Sequence, residues 1–445
     1  MKIYTVILAA GEGKRMRSRK PKVLHKIGQV PMINNTLLLA KELNSEKIIV
    51  VTGHRAPEVE SWVMENYREV HFVRQETQLG TGHAVKIAEK SLPQNEALLL
   101  ILYGDTPFVN AATIKKMVEE KNNGTNIVVL GFKEEKSNSY GKLIQSQTGY
   151  LQKIVEHKDA NSQEQRLTLC NSGILLGERD RVFMLLRKLK SDNVQNELYL
   201  TDIVESGNEI GLKTGVTLCS SEEAMGVNSM SELAKAENIF QEKIREKMLG
   251  QGVTLIAPET VYFSHDTKIG DGSIIEPNVI FGKGVTLDQD VTIRAFSYLE
   301  DCKVSSGTTV GPFARIRPGS EIGKNARVGN FVEIKASTLG NETKVNHLAY
   351  VGDAVLGEKV NFGAGSIICN YDGVKKHQTE IGDNAFIGSN SSLVAPIKIG
   401  KQTMVGSGTV VTKNVPDNDL ALSRTRQTNK KNFGKKMMQN LKSKK

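Results

Sequence analysis

Between residue 3 and about residue 228, short apolar runs alternate with amphipathic stretches. The runs are TVILAA at 5–10, KIIVVTG at 47–53, EALLLILYGD at 96–105 and NIVVLGF at 126–132, with the helix-like NNTLLLAKEL at 34–43 after the first. Unbroken Val, Ile and Leu mark strands covered on both faces, since alternation is lost when neither face meets water. The pattern predicts a mostly parallel α/β sheet over 1–228, with ligands at the carboxyl ends of its strands. At 229–250 the period changes. Leu233, Ala236, Phe240, Ile244 and Met248 recur every three or four residues with charges between them, which predicts an amphipathic linker helix ended by Gly250 and Gly252.

From 251 the rhythm changes again. Ile269, Ile275, Phe281, Leu287, Ile293 and Leu299 stand six apart, as do Val304, Val310, Ile316, Ile322, Val328 and Ile334. After slips of five come Leu339, Val345, Val351, then Leu356, Phe362, Ile368, and a last run holds Ile381, Ile387, Leu393, Ile399, Val405 and Val411. A period of six belongs to neither a helix nor an ordinary strand. With Gly, Asp or Asn beside each apolar position it predicts a parallel β-helix, one short strand and a turn per hexad, whose apolar side chains stack into a single interior column. Three hexads per coil make roughly eight coils. Parallel crossovers are ordinarily right-handed, and nothing in the period departs from that rule. The gap of 13 from Ile368 to Ile381 leaves CNYDGVKKHQTE as an extruded loop, and such insertions collect on a binding face.

Composition narrows the classes. The 445 residues give room for two or three domains. Charged residues at 24%, hydrophobic ones at 39% and a mean hydropathy of −0.29 exclude wholesale disorder, and no apolar run is long enough to span a bilayer. Forty Gly and only 5% aromatics suit a turn-rich solenoid. The formal charge is +10, but nine basic residues and no acidic one lie between Arg424 and Lys445, so residues 1–423 carry 10 − 9 = +1. The excess reads as a solvated, unstructured tail over 426–445, with neither a nucleic acid nor a membrane as expected partner. Cys170, Cys219, Cys302 and Cys369 fit no zinc or disulfide spacing and read as small hydrophobes in a reducing compartment. The N-terminal apolar stretch is short and is followed at once by Lys14, Arg15, Arg17 and Arg19, so it reads as a first strand, and a cytoplasmic location is expected.

Several residues invite chemistry. The turn Leu8-Ala9-Ala10-Gly11-Glu12-Gly13-Lys14-Arg15-Met16 fits neither GxGxxG nor GxxxxGK[ST]. Its backbone N–H groups can wrap phosphates, with Arg15 and Lys22 neutralising charge, or it is a tight turn with solvated arginines. Asp105 closes a buried run, where a hard carboxylate suits Mg²⁺ or simply forms a turn. His347, in VNHLAY near two register slips, is a general base or a structural histidine. Arg317 and Lys335 read by themselves as ordinary outward-facing solenoid charges.

In combination, LAAGxGxRM, Pro21-Lys22-Val23-Leu24, Gln78-Leu79-Gly80-Thr81-Gly82-His83-Ala84 and Tyr103-Gly104-Asp105 resemble the sugar-1-phosphate nucleotidyltransferases. More narrowly, the chain from 3 to about 426 resembles the bacterial bifunctional N-acetylglucosamine-1-phosphate uridyltransferases and glucosamine-1-phosphate acetyltransferases. The resemblance implies a Rossmann-like nucleotidyltransferase domain over 1–228, a linker helix over 229–250 and a left-handed parallel β-helix acetyltransferase domain over 251–425. It implies a homotrimer whose acetyl-transfer sites are shared between subunits. It also implies Mg²⁺ as cofactor, UTP and acetyl-CoA as co-substrates, and glucosamine-1-phosphate and N-acetylglucosamine-1-phosphate as substrates.

Carried over by position, the resemblance assigns the metal to Asp105 and Asn228, the latter in a Gly226-Val227-Asn228 segment. It lines the nucleotide pocket with Leu8, Ala10, Gly11, Lys22, Gln75, Gly80, Thr81 and Tyr103, and gives the sugar to Gly141, Glu156, Asn171 and Asn228. In the solenoid it makes His347 the base, gives the sugar phosphate to Arg317 and Lys335, and completes the sugar site with Tyr350 and Asn361. Ala364, Asn370, Tyr371, Ser389, Ser407 and Arg424 are to contact acetyl-CoA, with Ser407 standing where the family more often has Ala. Two other readings remain at this point: a monofunctional nucleotidyltransferase of the ADP-glucose or dTDP-glucose type with a regulatory solenoid, and a non-catalytic trimeric scaffold.

Overall fold

The computed structural model describes residues 2–136 and 138–443. The chain divides into two compact units, Met1–Phe240 and Gln241–Lys445, with the division inside one long helix, Met230–Gly250.

Among the described residues, the first unit is built on a nine-stranded sheet. Its main path runs Thr214–Cys219, Ile127–Lys133, Leu169–Glu178, Leu98–Tyr103, Ile3–Leu8, Lys47–Thr52, His71–Arg74. Ile3–Leu8 lies parallel to both neighbours, with Leu8 opposite Val51 on one side and Tyr103 on the other. Leu169–Glu178 runs antiparallel to both of its neighbours. It also carries a small arm, in which Lys142–Gln145 pairs with it and with Leu151–Val155. The apolar runs are buried on both faces as their composition requires: Val6, Ile49, Leu99, Ile101 and Val129 pack on one side, Ile7, Val50, Leu98, Leu100 and Val128 on the other. The chain crosses from Ile3–Leu8 to Lys47–Thr52 and on to His71–Arg74, then returns to Leu98–Tyr103 on the other side of Ile3–Leu8, so the order reverses at that strand and the carboxyl ends at Leu8, Thr52 and Tyr103 open onto a cleft. Ala236 and Ile239 of the long helix close a separate cluster with Ile27, Met32, Met225 and Val227, which fixes the Val227-Asn228 segment.

The second unit is a solenoid of three parallel sheets, of ten, eight and eight strands, each strand two to four residues long. The hexad positions fall in register from coil to coil: Ile275 opposite Ile293, then Val310, Val328, Val345, Phe362, Ile387 and Val405. All are buried, forming the column that the period predicts. The ten-stranded sheet reaches past the hexad run at both ends, through Thr254–Leu255 and Leu420–Ala421. The segment 370–377 leaves the wall as a loop stapled by a Tyr371–Lys376 bridge, and Asp372 accepts from the Val374 and Lys375 amides.

One corner of the solenoid is unusual. Phe296, Phe313, Phe331 and Leu348 hold left-handed φ of 61°, 55°, 57° and 49°, a conformation that normally favours Gly, Asn or Asp. All four are exposed, and the rings stack at 4.9 and 5.3 Å between centroids. The tail expected to be unstructured carries a helix, Phe433–Lys442, none of whose residues is buried.

Candidate functional site

The cleft of the first unit holds a cavity of about 370 Å³. It is lined by Leu8, Ala10, Gly11, Lys22, Gln75, Gly80, Thr81, Tyr103, Asp105 and Asn228. Ala10 follows the first strand and its carbonyl accepts from Gln78 Nε2 at 2.7 Å, tying the Gly-rich turn to the QLGTG loop. Gln75 Nε2 donates to the Gly80 carbonyl at 3.1 Å. Gly80, at φ 103°, passes so close to Leu198 that a Cβ would lie 2.6 Å from its carbonyl oxygen, so no side chain fits. Thr81 Oγ1 accepts from the Leu200 amide at 3.1 Å.

Asp105 emerges two residues after the strand Leu98–Tyr103 and is 9% exposed. The Val227 amide donates to the Asp105 carbonyl at 2.9 Å, which seats Asn228 beside it, and Glu232 accepts from the Asn228 amide at 2.7 Å. Lys22 pairs with the Asp105 carboxylate and donates to Asn228 Oδ1 at 3.1 Å. Two hard oxygens from segments more than a hundred residues apart thus converge on one positive charge. That donor chemistry fits a magnesium ion sharing its remaining positions with phosphate oxygens and water. No cluster of three or more His, Cys, Asp or Glu suited to a metal occurs among the described residues.

Of the expected sugar residues, Asn228 lines this cavity, whereas Gly141, Glu156 and Asn171 lie outside its lining. Gly141 carbonyl accepts from the Asn171 amide at 2.8 Å, and a Cβ on Gly141 would sit 3.4 Å from Glu156 Oε2, so the three are neighbours. Thr201 Oγ1 donates to Glu156 at 3.1 Å. Burial pushes the Glu156 carboxyl above the usual range, and Asp159 and Glu197 add to the rise. Burial also pushes Asp202 up to about 6, with Glu156, Glu205 and Asp159 contributing. Arg15, exposed, lines an adjoining recess with Glu156, His157 and Lys158, apart from the nucleotide cavity. Tyr140, Ser172 and Glu197 line the main cavity without having been singled out in the sequence, and so does Gln78, which opens a motif that was.

In the solenoid, His347 is exposed and its Nδ1 meets Asn330 Oδ1 at 2.8 Å, its partner across the sheet. The Gly365 amide donates to the His347 carbonyl, Asn390 to Ala364 and Gly408 to Ser389. Hence His347, Ala364, Ser389 and Ser407 occupy successive levels of one ridge, next to the corner that carries Leu348. Arg424 Nη1 donates to the Ser407 carbonyl at 2.9 Å. On the neighbouring sheet, Arg317 Nη1 pairs with Glu333 at 2.8 Å, and Lys335 Nζ lies 3.0 Å from both Asp353 oxygens. Buried Asn370 bonds Asp353 and, at 3.4 Å, the Tyr350 hydroxyl, while Tyr371 is exposed on the extruded loop. Asn361 lies on the same sheet as His347, opposite Lys344. Lys376 lies by Lys335, which pushes its ammonium below the ordinary lysine value. Asn330, Glu333 and Asp353 are partners that the sequence did not single out.

A MobA-like NTP transferase domain model matches residues 5–191, and a bacterial transferase hexapeptide model, of six repeats, matches 301–336 and 378–413. A bifunctional protein GlmU from a Ruegeria sp. is 48% identical over 445 residues, covering 100% of this chain and 99% of its own. One from a Jannaschia sp. is 45% identical over 438 residues, covering 98% and 96%. The chain belongs to the bifunctional GlmU family. Membership spans both units, so the solenoid is part of the enzyme and not a regulatory addition to a monofunctional transferase. Like other GlmU family members, the chain joins a Rossmann-like nucleotidyltransferase domain to the left-handed parallel β-helix of hexapeptide transferases. The handedness departs from the ordinary rule for parallel crossovers, which the six-residue period gave no reason to suspend.

Proposed function

We infer that the second unit acetylates glucosamine-1-phosphate with acetyl-CoA, and that the first transfers uridylyl from UTP to the product, making UDP-N-acetylglucosamine and pyrophosphate. The observation that carries uridylyl transfer is the convergence of Asp105, Asn228 and Lys22 in one strand-end cavity. The attacking group is a sugar phosphate oxygen, ionised at neutral pH, so no general base is required. The barrier is repulsion between two anions. Asp105 and Asn228 would hold Mg²⁺, which when bound neutralises charge between the phosphates. Lys22, once its carboxylate partner is engaged there, is free to hold phosphate oxygens. Arg15, in the recess with Glu156, meets the sugar phosphate side, and Gly141, Glu156 and Asn171 receive the sugar and its amide. Leu8, Ala10, Gly11, Gln75, Gly80, Thr81 and Tyr103 hold the nucleotide.

For acetyl transfer the nucleophile is an amine, mostly protonated at neutral pH, so a base must uncover its lone pair. His347 takes that proton. Its Nδ1 is engaged by Asn330, leaving Nε2 to act. The amine nitrogen then bonds the thioester carbonyl and the CoA thiol leaves. Arg317 and Lys335 bind the phosphate, with Glu333 and Asp353 as their orienting partners. Tyr350 and Asn361 complete the sugar site, and the ridge of Ala364, Ser389 and Ser407, with Asn370, Tyr371 and Arg424, takes acetyl-CoA. The assembly is a homotrimer whose contact includes the exposed ridge of Phe296, Phe313, Phe331 and Leu348. The test is to incubate the protein with glucosamine-1-phosphate, acetyl-CoA, UTP and Mg²⁺ and to omit each in turn. UDP-N-acetylglucosamine formed without acetyl-CoA, or from no added metal after chelation, would overturn the scheme.

A further inference from the structure

The expectation of a purely solvated tail took account of its charge alone, and the helix Phe433–Lys442 adds a second property. At about 100° per residue, Phe433, Met437, Leu441 and Met438 fall within an arc of roughly 140°. Lys435, Lys436 and Lys442 lie on the opposite side. The four apolar side chains are 48%, 51%, 59% and 59% exposed, in the order Phe433, Met437, Met438, Leu441, and nothing in the helix is buried. A ten-residue helix with its whole apolar face in water is marginal on its own, since such helices depend on packing that face against something. The surrounding charge says what kind of surface that is: nine basic and no acidic residues between Arg424 and Lys445, against +1 for all the rest. A short helix with a broad apolar arc, lysines opposite and low overall hydrophobicity is suited to lying in the plane of a bilayer interface. It does not span, as no described helix is long and apolar enough to cross a membrane.

We propose that Phe433–Lys442 is an interfacial anchor that docks the enzyme on anionic lipid headgroups. Phe433, Met437, Met438 and Leu441 enter the headgroup boundary, while the lysines contact lipid phosphates. The catalytic units stay in water. The test is flotation of the full chain with vesicles of phosphatidylcholine alone or with about a third phosphatidylglycerol. The parent floats with the anionic vesicles only. Met437→Glu/Leu441→Glu lowers the bound fraction by about tenfold or more and leaves both transfer activities at parent levels, since neither residue belongs to a site. Lys435→Glu/Lys436→Glu weakens binding too. Failure of the parent to float with anionic vesicles overturns the proposal. So does equal flotation of the Met437→Glu/Leu441→Glu variant, which would leave only non-specific counterion attraction. Binding of a single-stranded RNA in place of the vesicles would move the surface to nucleic acid and overturn it as well.

Discussion

Replacing Asp105 by Asn separates what its carboxylate does for the fold from what it does for transfer. The side chain keeps its shape and one acceptor oxygen but loses its charge, stranding the Lys22 ammonium beside Asn228 Oδ1 at 3.1 Å. Breaking a sealed ion pair costs about 3–5 kcal/mol and an exposed one about 0–1. The side chains of Lys22 and Asp105 are 15% and 12% exposed, and the cavity admits water, so the loss should fall between, at about 1–3 kcal/mol. For a unit of this size that lowers the melting temperature by about 2–4 °C per kcal/mol. Uridylyl transfer should fall by about 10³-fold, roughly 4 kcal/mol of transition-state stabilisation, because the negative oxygen that would hold the metal is gone. Acetyl transfer, in the other unit, should change by less than about twofold. Adding Lys22→Met removes the stranded cation and should recover most of the melting loss without recovering uridylyl transfer. The assays are pyrophosphate release, CoA thiol release and thermal melting on the same preparations. Uridylyl transfer within about tenfold of the parent, or its recovery in the double variant, would show the pair to be structural and the metal assignment wrong.

His347→Ala should cost acetyl transfer about 10²–10⁴-fold and leave uridylyl transfer intact, and Asn330→Ala should cost about tenfold while changing the pH profile of acetyl transfer only. Asp202, with its pKa raised from 3.8 to about 6, binds more protons folded than unfolded in that interval, so its contribution to stability falls as pH rises through it. Asp202→Asn should therefore raise stability near pH 7.5 by about 1 kcal/mol, after allowance for its partial exposure, and do little near pH 4, as read by urea unfolding at both pH values. If the proposed trimer forms through this corner, Phe313→Ser/Phe331→Ser should shift the sedimenting species toward monomer and lower acetyl transfer far more than uridylyl transfer, and an unchanged sedimentation profile would remove the ridge from the contact.

How far the sequence can be read depends on whether the relevant contact repeats locally. A buried strand announces its own end, so Leu8, Tyr103 and Asp105 can be placed at the mouth of a cleft from the runs they close. The solenoid register is equally plain, because each coil repeats the last. The Lys22–Asp105 pair spans 83 residues, and Tyr140, Ser172 and Glu197 reach the cavity from segments with no shared period, so only the folded chain brings them together. The ridge of His347, Ala364, Ser389 and Ser407 is obscured for another reason: slips and the extruded loop make its spacing uneven, so those residues were assigned by family resemblance and not by period. In the tail, nine charges hid an apolar face made of only four residues.

The two proposed sites also differ in what each needs from its surroundings. The proposed uridylyl site is concave because the strand order reverses at Ile3–Leu8, so a single unit can enclose a ligand. A solenoid offers no such interior. Its axis is filled by Ile293, Val310, Val328, Val345 and Phe362, all essentially buried, and apart from buried Asn370 the polar residues of the proposed acetyl site are exposed or half-exposed on its outside. His347 and the exposed Tyr371 therefore need a second wall to exclude water and hold an amine against a thioester. On this proposal the extruded loop at 370–377 would supply part of it, and the apolar corner that includes Leu348, one residue after His347, is where another copy would supply the rest. Acetyl transfer is then the activity that should fail when the protein is diluted or its corner made polar, while uridylyl transfer persists.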